Sequence, residues 1–192
     1  MPVAEFFMPA ETANAQDLKT VISAEQIQKR LREMSRQISN DYRGKTVHAL
    51  GLLENGFMFM ADLVRLLEVP VICQFVKPRY KQLREGGRPE MTEIFFSHDL
   101  DVRGQHVLLI EGIVHSGVTS EYLVSDLRQR GAASVKVATL LDRQAGRRVP
   151  LQPDYFGFLV DGTYLVGYGL GSPQLHRNLP YLAAGQGVVP VT

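Results

Sequence analysis

Residues Val107–Thr119 read VLLIEGIVHSGVT. The apolar run VLLI predicts a buried strand that ends at Ile110. The next stretch, HSGVTS, is made of small and hydroxyl-bearing residues and leads straight into TSEYLVSDLRQR, a helical pattern stopped by Gly131. A strand that turns this tightly into a helix aims several backbone N–H groups, and the hydroxyls of Ser116 and Thr119, at one point. The positive end of the helix dipole stands behind them, so a phosphate fits there. No GxxxxGK[ST] lysine is present, which excludes a nucleoside-triphosphate loop, and no GxGxxG suggests a dinucleotide.

Working outward from this turn, SVKVATLL forms the next strand. Upstream, VHALGLL, GFMFMADLVRLLE and PVICQFV repeat the order strand, helix, strand. Apolar runs this continuous belong to strands covered on both faces, so the expected class is α/β: a mostly parallel twisted sheet with helices on both faces. Ligands of such sheets bind beyond the carboxyl ends of the strands, here the turns after Leu53 and after Glu111. Nearer the N-terminus, Ser23 and Gln26 have the spacing of a capping box. Ile27, Leu31, Met34 and Ile38 fall on one face of the helix that follows.

The 192 residues are 45% hydrophobic and 21% charged, with a formal net charge of +1, the balance of an ordinary soluble globular domain. That charge gives no field to recruit nucleic acid or an anionic membrane. The single cysteine, Cys73, lies in an apolar run and is expected to be a buried thiol. With no basic leader and no long apolar segment, the expected location is cytoplasmic, with no membrane partner. Residues 77–92 carry Lys77, Arg79, Lys81, Arg84 and Arg88 around a Gly-Gly pair. They suit either a flexible lid closing on phosphates or a solvated loop. Phe57 to Met60 read as helix core, and the C-terminal AAGQGVVPVT as a frayed tail.

Taken together, ISAEQIQKRLREMSRQISNDYRGK, GFMFMADLVRLLEVPV, RGQHVLLIE, RGAASVKVATLLDR, PDYFGF and LVGYGL…RNLPY resemble the hypoxanthine-guanine branch of the type I phosphoribosyltransferases, in the same order. The resemblance runs from about Val21 to about Tyr181. It implies one phosphoribosyltransferase-like domain over 1–192, with a small hood and purine-site region near 150–181. The reaction implied is that of purine salvage: a purine base and phosphoribosyl pyrophosphate give a purine nucleoside monophosphate and pyrophosphate, with magnesium, in a homodimer or homotetramer. Carried over position by position, it implies phosphate binding by Ser116, Gly117, Val118 and Thr119, and catalysis by Glu111 and His115. It further implies a pyrophosphate side at Glu54, Asn55 and Arg177, purine contacts from Arg143, Tyr155 and Phe156, and metal contacts from Glu111 and Asp161.

Several of these positions depart from the family pattern. Glu54-Asn55 replaces a Lys-Gly pair, and Glu111-Gly112 replaces a pair of acidic residues. His115 stands for an aspartate that acts as general base, Arg143 for a lysine, and Gly162 for a late aspartate. A histidine, with an ordinary pKa of about 6.5, still accepts a proton, but it offers magnesium no hard anionic oxygen. Two expectations follow: a purine phosphoribosyltransferase with impaired activity, or a catalytically inactive nucleotide-binding or regulatory protein of the same fold.

Overall fold

The computed structural model describes residues 18–81, 90–96, 100–162, 164–171 and 176–185. In chain order these form β1 (Leu18–Ile22), α1 (Ala24–Asp41), β2 (Val47–Leu52), α2 (Phe57–Val64), β3 (Val71–Lys81) and β4 (Glu90–Phe96). Then come β5 (His106–Val114), α3 (Val118–Gln129), β6 (Ser134–Asp142), β7 (Tyr155–Leu159) and β8 (Leu182–Gly185). Six strands make one sheet in the order β4-β3-β2-β5-β6-β7. Every neighbouring pair in it is parallel except β3–β4.

The capping box predicted at Ser23 is present: the Ser23 hydroxyl accepts from the Gln26 amide, and the Gln26 side chain accepts from the Ser23 amide at 2.8 Å. The helix it starts buries Ile27, Leu31, Met34 and Ile38 completely or nearly so. Alternation along the central strands then sorts side chains to two faces. Leu108 and Ile110 point into a core shared with α1 and α2, whereas Val107 and Leu109 point into a second core beneath α3. Covering on both faces is why these strands read as unbroken apolar runs.

Four features differ from expectation. Strand β5 continues past Ile110 to Val114, because its ladder to β6 persists as far as Val114 opposite Asp142. Of the stretch read as a lid or loop, 77–81 and 90–92 are strand: Lys77 pairs with Phe95 and Tyr80 with Met91 across an antiparallel ladder. Backbone pairing of that kind needs no side-chain periodicity, so the sequence carried little sign of it. Residues 82–89, the tip, lie outside the described residues. Cys73 is exposed, on the part of β3 that precedes its described ladder to β4, which begins at Val76. The supposed C-terminal tail begins inside β8, where Ala183 is fully buried and pairs with Thr20.

The β1–β8 ribbon joins the C-terminal segment through Val166, which bridges Ala183. Its Leu182, with Leu165, Tyr168 and Leu170, packs into the same core as α1 and α2. Among the described residues, no helix is long and apolar enough to cross a membrane.

Candidate functional site

The carboxyl ends of β2 and β5 enclose a cavity of about 230 Å³, lined by Asn55, Glu111, Gly112, His115, Ser116 and Thr119 among others. At its floor the chain leaves β5 and enters α3 through Gly117, whose φ of +76° places it in the left-handed region that favours glycine. No side chain caps α3. Helix starts of this kind are places where backbone N–H groups bind anions, and Ser116, Gly117, Thr119 and Ser120 line the cavity here. The Ser116 hydroxyl lies 3.5 Å from the Val118 amide, at the outer limit of a hydrogen bond. The Val118 side chain is apolar, so this residue can serve an anion only through its backbone.

Glu111 and His115 bracket this turn, with opposite electrostatics. Glu111 is buried, and loss of hydration pushes its pKa up from 4.5 to about 7, against the hydrogen bond it accepts from Ser120 and the pull of Arg147. His115 is exposed at the cavity mouth. Partial burial first, then the charges of Arg143, Arg148 and Arg147, hold its pKa below 6.5, while a hydrogen bond to the Ala145 backbone opposes them. The imidazole is therefore neutral at physiological pH and able to accept a proton.

On the β2 side the structure brings Glu54, Asn55 and Arg177 together. Arg177 donates to the Asn55 side-chain oxygen at 3.1 Å and to the Gly169 carbonyl at 3.0 Å, and it approaches Glu54 to 4.0 Å. Glu54 is also gripped by Lys77 from β3 at 2.6 Å, and its carboxyl is held below the ordinary range by that bond. The reversed charge at position 54 thus has a cationic partner that sequence reading missed; Lys77 was visible only as one of several basic residues. A neighbouring cavity of about 390 Å³ is lined by Leu53, Glu54, Phe57, Phe75 and Arg177, so Phe57 belongs to this wall and not wholly to the core.

Gly112 has a steric reason. A Cβ placed there would lie 2.4 Å from the Asn55 backbone oxygen and 2.8 Å from Leu170 Cδ2. The turn after β2 has closed into the space that an acidic side chain would need.

The purine-side residues need correction. Tyr155 is 2% exposed, in the core against α1, and its hydroxyl donates to Asp41 at 2.6 Å and accepts from Lys136 at 2.9 Å. Its ring offers no face to a purine. The Phe156 carbonyl accepts from Arg30 at 2.8 Å and that of Gly157 from the same guanidinium at 2.9 Å, so this backbone is already engaged. Arg143 donates to the Gly162 carbonyl at 3.0 Å, while its buried Nε has no partner among the described residues. An aromatic that sequence reading passed over is Tyr164. It is half-buried, and the Arg177 charge acts on its hydroxyl.

Nor do the residues assemble a metal donor set. Asp161 is exposed on the turn after β7, whereas Glu111 is buried, bonded to Ser120 and half protonated near neutrality. Among the described residues no three His, Cys, Asp or Glu side chains are grouped to hold a metal ion. Magnesium, which favours several hard oxygens, does not fit these side chains as a protein-held ion.

Comparison with known proteins gives a consistent result. A family model described as phosphoribosyl transferase domain matches residues 19–171. The hypoxanthine-guanine phosphoribosyltransferase of Bacillus subtilis is 35% identical over 168 residues, covering 85% of this chain and 91% of that protein. The bifunctional protein TilS/HprT of Listeria monocytogenes is 37% identical over 166 residues. There the match takes 85% of this chain but only a quarter of the longer relative. The crystal structure of a hypoxanthine phosphoribosyltransferase from Staphylococcus aureus superimposes with a TM-score of 0.80 at 29% identity, covering 89% of this chain and 93% of that one.

Proposed function

Because the chain belongs to the phosphoribosyltransferase family, in its hypoxanthine-guanine branch, we propose that it transfers a phosphoribosyl group to a purine base, with the 5′-phosphate seated on Ser116–Thr119. The observation that carries this reading is the uncapped start of α3 opening into the cavity between β2 and β5, with a neutral His115 at its mouth.

In that arrangement the turn amides hold the 5′-phosphate in place and orient the ribose. The purine nitrogen attacks the anomeric carbon as the bond to pyrophosphate breaks. The proton displaced from the purine imidazole passes to His115, whose neutrality at pH 7 leaves a ring nitrogen free to take it. Partial burial, then the charges of Arg143, Arg148 and Arg147, keep the imidazole neutral. Glu111, largely protonated below neutrality, adds little negative charge at the ribose side. On the opposite wall, Arg177 and Lys77 face the departing pyrophosphate with Glu54 between them, so part of their charge is already compensated. The purine ring stacks on Tyr164 in this reading, since Tyr155 is enclosed in the core. Magnesium enters no step of this reading, since among the described residues no side-chain group is arranged to hold it.

The Glu54–Lys77 pair and the filled space beside Gly112 both weaken the pyrophosphate side, so turnover is below that of relatives with the acidic pair and the lysine. A coupled assay with hypoxanthine, guanine and xanthine, phosphoribosyl pyrophosphate and magnesium tests the proposal. The expected result is nucleotide formation, slow and improved by raising pH from 5.5 to 7.5. Tight binding of a purine nucleoside monophosphate with no nucleotide formed from any base would replace the enzyme with a binding protein of the same fold. Sedimentation tests the homodimer or homotetramer that family membership implies.

A further inference from the structure

We propose that Arg147 is a positioning residue for the phosphate turn, acting through the backbone of His115. One guanidinium joins three separate segments. Its Nε donates to the His115 carbonyl at 2.9 Å, a second nitrogen donates to the Leu151 carbonyl, and the third pairs with the Asp142 carboxylate at the end of β6. The side chains of Arg147 and Asp142 are only 15% and 4% exposed, so salt screens the pair little. Its planar fork suits this task, because a lysine ammonium cannot hold three acceptors in one rigid geometry.

The surrounding loop reinforces the assignment. The Arg148 amide donates to the Ser116 carbonyl at 2.9 Å, one residue further along the same turn. At Gly117, the left-handed residue before α3, an added Cβ would lie 3.0 Å from Arg147 Cδ and 2.9 Å from Val149 Cγ2. The loop after β6 thus braces the turn from outside, with Arg147 as its central tie. The charge of Arg147 is matched by Asp142, so its contribution to an anion comes through geometry more than through field. Preorganised donors bind more tightly because ordering has already been done in the free protein.

The proposal rests on reading this turn as the 5′-phosphate site, and the experiment separates the two. Amide hydrogen exchange of Ser116 to Ser120 is measured without ligand in the wild type, Arg147→Lys and Asp142→Asn. Guanosine monophosphate affinity is measured by calorimetry in the same three proteins. Arg147→Lys is expected to speed exchange at the turn at least tenfold, leave the centres of β5 and β6 unchanged, and weaken nucleotide binding at least tenfold. Asp142→Asn, which keeps both carbonyl contacts, is expected to fall between it and the wild type. Faster exchange spread evenly over β5, β6 and α3 would show a general stabilising residue and overturn the assignment. Turn exchange within twofold of the wild type would overturn it too. Should the wild type bind neither guanosine monophosphate nor inorganic phosphate, the functional reading falls, while the exchange result still decides the role of Arg147.

Discussion

Placing an acidic residue at position 112, as the family pattern would suggest, should damage the protein before it improves the site. The Asn55 carbonyl lies 2.4 Å from where a Cβ would stand. It must retreat by about 1 Å to reach the ~3.3 Å of a close carbon–oxygen contact. Leu170 can rotate away, but the Asn55 oxygen is backbone and can retreat only if the turn after β2 moves with it. Overpacking of this kind costs about 1–3 kcal/mol. In a domain of this size each kilocalorie lowers Tm by roughly 2–4 °C, so the expected loss is about 2–12 °C. Gly112→Ala isolates the steric part, and most of the loss should already appear in it. Thermal unfolding of wild type, Gly112→Ala and Gly112→Asp provides the measurement, with transferase assays run in parallel. If Gly112→Ala melts within experimental error of the wild type, the turn is compliant and the steric account is wrong. A gain in activity for Gly112→Asp at unchanged Tm would refute it equally.

Three other outcomes are expected. Burial raises the Glu111 pKa from 4.5 to about 7, so the folded state holds a proton that the unfolded chain releases. Stability from this residue is fully present below pH 4.5 and is lost as pH rises through 7, and Glu111→Gln should flatten that decline in denaturant titrations. His115 behaves oppositely: its folded pKa lies below 6.5, so its stability contribution is complete above 6.5 and is lost as pH falls through the folded value. The acid limb of kcat/KM should fall in the same range and vanish in His115→Ala. Tyr155→Phe removes a hydroxyl bonded to Asp41 and Lys136; it should cost about 1 kcal/mol in stability and leave guanosine monophosphate affinity unchanged by calorimetry.

The layers of the fold were legible because long central strands and an amphipathic helix advertise themselves. The run from Val107 to Ile110 could only be a strand buried on both faces, and the spacing of Ile27, Leu31, Met34 and Ile38 could only bury one side of a helix. The tight turn from β5 into α3 was legible for a similar reason, since its glycine and hydroxyls are local to a strand–helix junction. Tyr155 was not, because YFGFL is too short and too uniformly apolar to say which face meets α1. Lys77 and Arg147 were equally hidden. Their partners, Glu54 on another turn and His115 on another strand end, lie 23 and 32 positions away, and nothing in a charged residue's own neighbourhood announces so distant an acceptor. Asn55 closing against Gly112 is a backbone event, invisible in side-chain chemistry.

The ribbon that pairs Leu18 with Gly185 sets an order of assembly during synthesis. β1 leaves the ribosome first among the described elements, yet its hydrogen-bonding partner β8 is the last of them to be made. The βαβ units around β2 and β5 need only local closures, and domains begin to organise as they emerge. The proposed phosphate turn and its Arg147 brace can therefore be in place on a nascent chain that still lacks the bridge from Val166 to Ala183 and the contact from Arg177 to Asn55. A chain arrested there would hold half a site, with the anion end formed and the opposite wall absent. The segment from Val166 to Ala183 completes the pocket.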